Sequence, residues 1–139
     1  MKIFVYFIGK PKDAHTNAVA QDFFGRAARY APVEVREIRP ERIDIRERHA
    51  SAKKIFLDPA GKAMDSAAFA ALVGKSEMES RDLLFLVGGH DGLPPGWAAR
   101  ADLLLSLSAM TFPHELARAM LAEQIYRAFA SLRGHPYPR

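Results

Sequence analysis

The sequence predicts an α/β fold with a mostly parallel sheet and helices on both faces, and three observations carry that prediction. Short β-branched and aromatic runs alternate with segments of helical period along the whole chain. One run, Leu83–Val87, is apolar throughout, the pattern of a central strand buried on both faces. Three strand-like runs end in polar or glycine-rich segments, at Asp58–Lys62, Gly88–Gly92 and Ser106–Thr111. Open α/β sheets bind ligands outside the carboxyl ends of their strands, so these segments are candidates for one crevice.

The elements follow in order. Lys2–Ile8 is a buried strand ended by Gly9 and Pro11. His15–Tyr30 is a helix, with Val19, Phe23 and Ala27 in a stripe and Pro32 closing it. Val33–Ile38 is a second strand. Pro40–Ala52 is charge-rich and reads as a short irregular helix or a mobile loop. Lys54–Asp58 is a third strand, followed by a turn at Pro59–Lys62. Ser66–Val73 is a short helix with Asp65 as its N-cap. After Leu83–Val87, Pro94–Ala101 is a brief helix or turn, and Leu103–Leu107 is a fifth strand. Pro113–Leu132 is the longest helix, with proline in its first turn and Glu123 and Arg127 as an i,i+4 pair.

The length of 139 residues suits one domain, residues 1–139, with no internal repeat or linker. Cysteine is absent, which excludes disulfides, thiolate catalysis, Cys-ligated zinc and iron–sulfur clusters. No His pair has zinc spacing, and no metal is expected. The apolar run Ile3–Gly9 is too short for a signal-peptide core, and no stretch reaches the ~18 apolar residues of a membrane span. A soluble, cytoplasmic domain is the expectation. The net charge of +4 is unevenly spread: +5 over residues 1–54, −3 over 55–112 and +2 over 113–139. The arginines between Arg26 and Arg48 are either a polyanion-facing surface or a solvated face laced with Glu and Asp.

Gly88-Gly89-His90-Asp91-Gly92 permits close backbone approach to a flat ligand, or is a plain turn. It is neither a Walker A loop nor G-x-G-x-x-G. His114 at the start of the last helix is a hydrogen-bonded structural residue or a catalyst. His135, Tyr137 and Arg139, interleaved with prolines, form a tail folded onto a site or a frayed terminus.

The last third carries a resemblance. Gly88-Gly89-x-x-Gly92-Leu93 is followed by Leu105–His114 (LSLSAMTFPH), Arg118, Glu123–Ala128 (EQIYRA) and His135-Pro136-Tyr137. Together with the N-terminal strand ending in Gly9-Lys10 and with Leu57-Asp58-x-x-Gly61-Lys62, these resemble the ribosomal RNA large-subunit methyltransferase H family of the SPOUT class. The resemblance implies a deep trefoil knot in the C-terminal half of the sheet, a homodimer, and S-adenosylmethionine held by the knot loops. It implies N3-methylation of a pseudouridine in 23S rRNA on the assembled 70S ribosome. It assigns cofactor binding to Leu57, Gly88, Leu107, Ser108, Ala109, Met110, Thr111 and Phe112. It points to His135, Tyr137 and Arg139 as the catalytic tail.

Two departures stand out. Pro138 occupies the place of the family's tail histidine, and the segment Glu41–Lys53 is shorter than usual. The first motivates an alternative: a ribosome- or RNA-binding SPOUT-like protein with weak or absent catalysis. A third reading, a nucleotide or flavin binder unrelated to RNA, predicts binding of those ligands and no preference for ribosomes.

Overall fold

A computed structural model describes residues 1–138; Arg139 lies outside the described residues. Five strands form one parallel sheet: β1 (Ile3–Ile8), β2 (Val33–Ile38), β3 (Lys53–Ala63), β4 (Leu83–Val87) and β5 (Leu103–Ser106). Their spatial order is β2-β1-β4-β3-β5. Three α-helices connect or follow them: α1 (Ala14–Ala27), α2 (Ser66–Met78) and α3 (His114–Leu132). Alternating side chains divide the core, as the two-residue period of a strand requires. Ile3, Val5, Ile55, Leu83 and Phe85 point to one face; Phe4, Tyr6, Phe56, Leu84 and Leu86 point to the other.

The handedness of β–crossover–β units explains how the faces are covered. Steps toward the β2 edge, from β1 to β2 and from β3 to β4, carry α1 and α2 across one face, where α3 joins them. Steps toward the β5 edge, from β2 to β3 and from β4 to β5, cross the opposite face. They supply Ile43, Ile45, Ala52, Leu93 and Trp97 to its core. These two connections form only 3-10 turns, at Pro40–Arg42 and Ala98–Arg100, so the helical layers are unequal. The charge-rich sequence of 40–52 has no apolar stripe with which to cover a sheet as an α-helix.

Local chemistry sets the helix starts. The Asp13 carboxylate accepts from His15 N and Thr16 N, and the Asp65 carboxylate accepts from Ala68 N at 2.8 Å. Helix α2 continues past Gly74 to Met78; a Cβ at Gly74 would come 3.0 Å from Leu132 Cδ2, so the glycine lets α2 and α3 approach closely. No helix among the described residues is long and apolar enough to cross a membrane.

Candidate functional site

The carboxyl ends of β3, β4 and β5 open into one crevice of about 560 Å³, within the ~300–1,000 Å³ range of small-molecule sites. Leu57, Asp58 and Pro59 form one side, Val87–His90 and Gly92 a second, and Leu105–Ala117 much of the rest.

Each wall has a local cause. Leu57 and Lys62 both register against Leu105, so Asp58–Gly61 bulges out of the ladder, and Asp58 and Pro59 of this bulge line the crevice. The Asp58 Oδ1 atom accepts from Ala60 N at 2.8 Å and holds this excursion. A Cβ on Gly61 would lie 2.6 Å from the Leu104 carbonyl, so the returning chain packs directly on the β5 backbone. The expected turn at Pro59–Lys62 is therefore a bulge within β3, which continues to Ala63.

The Gly88–Gly92 segment closes on itself. Gly92 N donates to Gly89 O at 3.0 Å, and a Cβ on Gly88 would stand 2.6 Å from Gly92 C. In the loop after β5, Ser106 Oγ donates to Ser108 O at 2.9 Å, and Ser108 Oγ accepts from Met110 N at 3.0 Å. Short hydroxyl contacts thus shape a segment that has no ladder to shape it.

Of the residues expected to hold a cofactor, Leu57, Gly88, Leu107, Ser108, Met110, Thr111 and Phe112 line the crevice. Ala109 belongs to the same loop but is exposed and off the wall. Sequence reasoning singled out the strand-end loops that contain Asp58 and His90 but gave neither residue a role, and it left His114, at the start of the last helix, open. Among the described residues the walls carry no Lys or Arg, so no permanently cationic side chain there is available to a nucleotide phosphate. Apolar walls with Asp58 suit a flat ligand bearing a positive centre. No group of three or more His, Asp or Glu capable of holding a metal occurs among the described residues.

The tail lies elsewhere. Tyr137 packs edge-on against Tyr126, with ring centroids 4.7 Å apart, and donates to Glu123 Oε2 at 2.6 Å. Arg127 pairs with the same Glu123 oxygen at 2.6 Å and holds its guanidinium 5.3 Å from the Tyr137 ring centre. Burial, followed by the hydrogen bond to Glu123, pushes the Tyr137 phenol up to about 12. At neutral pH the phenol therefore stays protonated and serves as a hydrogen-bond donor to Glu123. His135 is exposed, and its Nδ1 accepts from Tyr137 N at 3.2 Å. Neither His135 nor Tyr137 lines the crevice of its own chain, and Arg139 is outside the described residues.

The comparisons agree on one family. A family model described as "Predicted SPOUT methyltransferase" matches residues 1–138. A Solibacter usitatus (strain Ellin6076) protein named "Ribosomal RNA large subunit methyltransferase H" is 75% identical over 139 residues, covering 100% of both chains. A protein of the same name from Sorangium cellulosum (strain So ce56) is 40% identical over 143 residues, covering 99% of each. Among solved structures, a probable methylase family protein from Haemophilus influenzae Rd KW20 aligns with a TM-score of 0.62 at 10% identity, covering 99% of this chain and 70% of that one. The SpoU methyltransferase AviRb from Streptomyces viridochromogenes, in complex with AdoMet, aligns with a TM-score of 0.52 at 14% identity, covering 94% and 61%. Identities that low speak for the fold alone. The chain belongs to the SPOUT methyltransferase family, whose fold implies the deep trefoil knot expected in the C-terminal half of the sheet.

Proposed function

We propose that this protein is an S-adenosylmethionine-dependent methyltransferase acting on N3 of a pseudouridine in 23S rRNA of the assembled 70S ribosome, and that it works in the cytoplasm as a homodimer. The observation that carries the reading is the crevice at the ends of β3, β4 and β5, apolar and free of Lys and Arg among the described residues. S-adenosylmethionine contains no phosphate, so it needs no cationic cradle. When bound, it supplies a methyl group on a sulfonium, already activated for in-line displacement.

The chain's own residues do the rest. Leu57, Leu107 and Phe112 offer apolar walls to an adenine ring, and Gly88 offers a surface without a side chain. Asp58 lines the crevice, where its charge favours the positive end of the ligand. Holding the acceptor nitrogen in line with the methyl is the main catalytic task, and the N3 proton must leave to a neighbouring base or to water. His135, Tyr137 and Arg139 are the tail residues proposed to grip the base. Because the tail docks along α3 beside Glu123, we assign it to the partner's crevice rather than its own. The names of the relatives support the rRNA substrate.

Pro138, in place of the family's tail histidine, keeps a second reading in play: a ribosome-binding protein with weak or absent catalysis. One assay separates the two. Labelled S-adenosylmethionine is incubated with 70S ribosomes lacking the modification, with free rRNA and separate subunits in parallel. Label confined to the large-subunit rRNA of the 70S sample is the expected result. Cofactor binding without transfer would overturn the proposal in favour of the binder, and Pro138→His would then be the next variant.

A further inference from the structure

Arg118 is only 3% exposed, yet it is not part of the crevice wall. Its guanidinium lies 3.8 Å from the Phe7 ring centre, donates to Asn17 Oδ1, and stands 3.8 Å from Glu115. Burying a guanidinium is unfavourable without partners, so this arrangement needs an account. Glu115 supplies one. Its Oε1 accepts from Lys12 N at 2.6 Å, from Asn17 Nδ2 at 2.7 Å and from Asp13 N at 3.2 Å. Buried Arg118 thus fixes Asn17 and Glu115, and these fix the main chain between β1 and α1 to the first turn of α3.

The other side of that connection touches the crevice. A Cβ on Gly9 would come 3.9 Å from His114 Nε2, and one on Gly89 would come 3.2 Å from the Ile8 carbonyl. His114 and Gly89 both line the crevice. Gly9 is therefore held beside its wall, and Lys10, Pro11 and Lys12, which follow it, are exposed. Neither lysine makes an ion pair among the described residues. A crevice lined by Asp58 and with no Lys or Arg in its described walls gives a polyanionic substrate no cation to hold. Two unpaired lysines on a pinned loop beside it supply that hold.

We propose that Lys10 and Lys12 bind backbone phosphates of the RNA strand flanking the target base, and that Glu115, backed by Arg118 and Asn17, is the positioning residue that keeps this loop at the crevice. The inference rests on the RNA-methyltransferase reading above.

The test is methyl transfer to unmodified ribosomes by the Lys10→Ala/Lys12→Ala double variant across a salt series, with cosedimentation on ribosomes in parallel. The expected result is a KM for ribosomes raised about tenfold, the size of two exposed charge contacts, with kcat and S-adenosylmethionine affinity unchanged. The log–log salt dependence falls by about 1.4–1.8, at roughly 0.7–0.9 per phosphate contact. Lysine-to-arginine replacements at both positions retain wild-type behaviour. Lys53→Ala/Lys75→Ala removes the same charge from the α2 side and leaves KM unchanged. Glu115→Ala raises KM in the wild-type background but adds nothing to the double lysine variant, as residues acting through one another require. An unaltered KM and salt slope in the Lys10/Lys12 variant, or an equal rise in the Lys53/Lys75 variant, would overturn the proposal. A wild type that sediments with ribosomes yet transfers no methyl refutes the function instead, and the cosedimentation slopes still decide this inference.

Discussion

Replacing Gly88 by alanine tests the crevice directly. The new Cβ would stand 2.6 Å from Gly92 C and 2.7 Å from Gly92 O, against about 3.4 Å for an ordinary contact. The Gly88–Gly92 turn must therefore move by roughly 0.8 Å, and Gly88, Gly89, His90 and Gly92 all line the crevice. Overpacking of this kind costs about 1–3 kcal/mol. At roughly 3–5 °C per kcal/mol for a chain of this size, melting falls by about 3–15 °C. The more telling readout is the rise in melting temperature on adding S-adenosylmethionine. At 100 times its Kd, a ligand stabilises by about 2.7 kcal/mol. The wild type is expected to show that rise, and Gly88→Ala to lose most of it. The control is Gly25→Ala in α1, where a Cβ meets nothing within 4 Å. That change stabilises by about 0.5–1 kcal/mol and leaves the ligand effect intact. A Gly88→Ala protein with the full ligand-induced rise would refute the placement of the cofactor against this turn.

Three further outcomes follow from charge and hydrogen bonding. The Glu115 carboxyl is held down to about 2, first by the Lys12 amide and then by the Asn17 side chain, from an ordinary 4.5. Its stabilisation is complete above 4.5 and is lost as pH falls through about 2, so Glu115→Gln flattens the urea midpoint across that window; an unchanged profile would argue against the contacts. His49, stacked 3.7 Å from Phe4 and 2.9 Å from the Tyr6 hydroxyl, has its imidazole lowered below 6.5, chiefly by burial and then by Arg48, with Lys2 and Lys54 adding and Glu34 opposing. The unfolded chain takes the proton first, so stability is full above 6.5 and declines below it. His49→Asn, which tolerates the residue's φ of 48°, should remove that decline in urea titrations at graded pH. In Tyr-labelled NMR titrations, Glu123→Gln should bring the Tyr137 phenol from about 12 toward 10, and no movement would refute the docked tail.

Much of the fold was legible because short strands are bounded by residues that cannot continue them. Val33–Ile38 follows Pro32, and Leu83–Val87 precedes Gly88-Gly89; both strands have the bounds expected. Two boundaries misled for the same reason. Gly74 and the Pro59–Lys62 segment carry the chemistry of breaks, but Gly74 makes room for Leu132, and Gly61 for the backbone of β5. A glycine read locally means freedom of the chain; a glycine pressed against another element means contact, and only the tertiary structure distinguishes them.

The same division runs through the site. Its three loops were legible because strand-end position is a local property of the chain, and seven of the eight expected cofactor residues line the crevice. Asn17 and Arg118 are 101 positions apart and Lys12 and Glu115 are 103 apart, so no spacing reveals their contact. Spacing alone gives Glu115 and Arg118 as i,i+3 neighbours on one helix face and nothing of what they hold. Charge counting drew the eye to the arginines of 26–48; Arg26 pairs with Asp22, Arg36 with Glu34, and Arg48 donates to Tyr6, whereas Arg29, Arg39, Arg42 and Arg46 make no ion pair among the described residues. Lys10 and Lys12, to which the sequence reading gave no role, follow Gly9, which the fold sets beside His114 of the crevice. Where a charge sits relative to the crevice is set by the topology that lays β1 beside β4, and not by the local density of arginine.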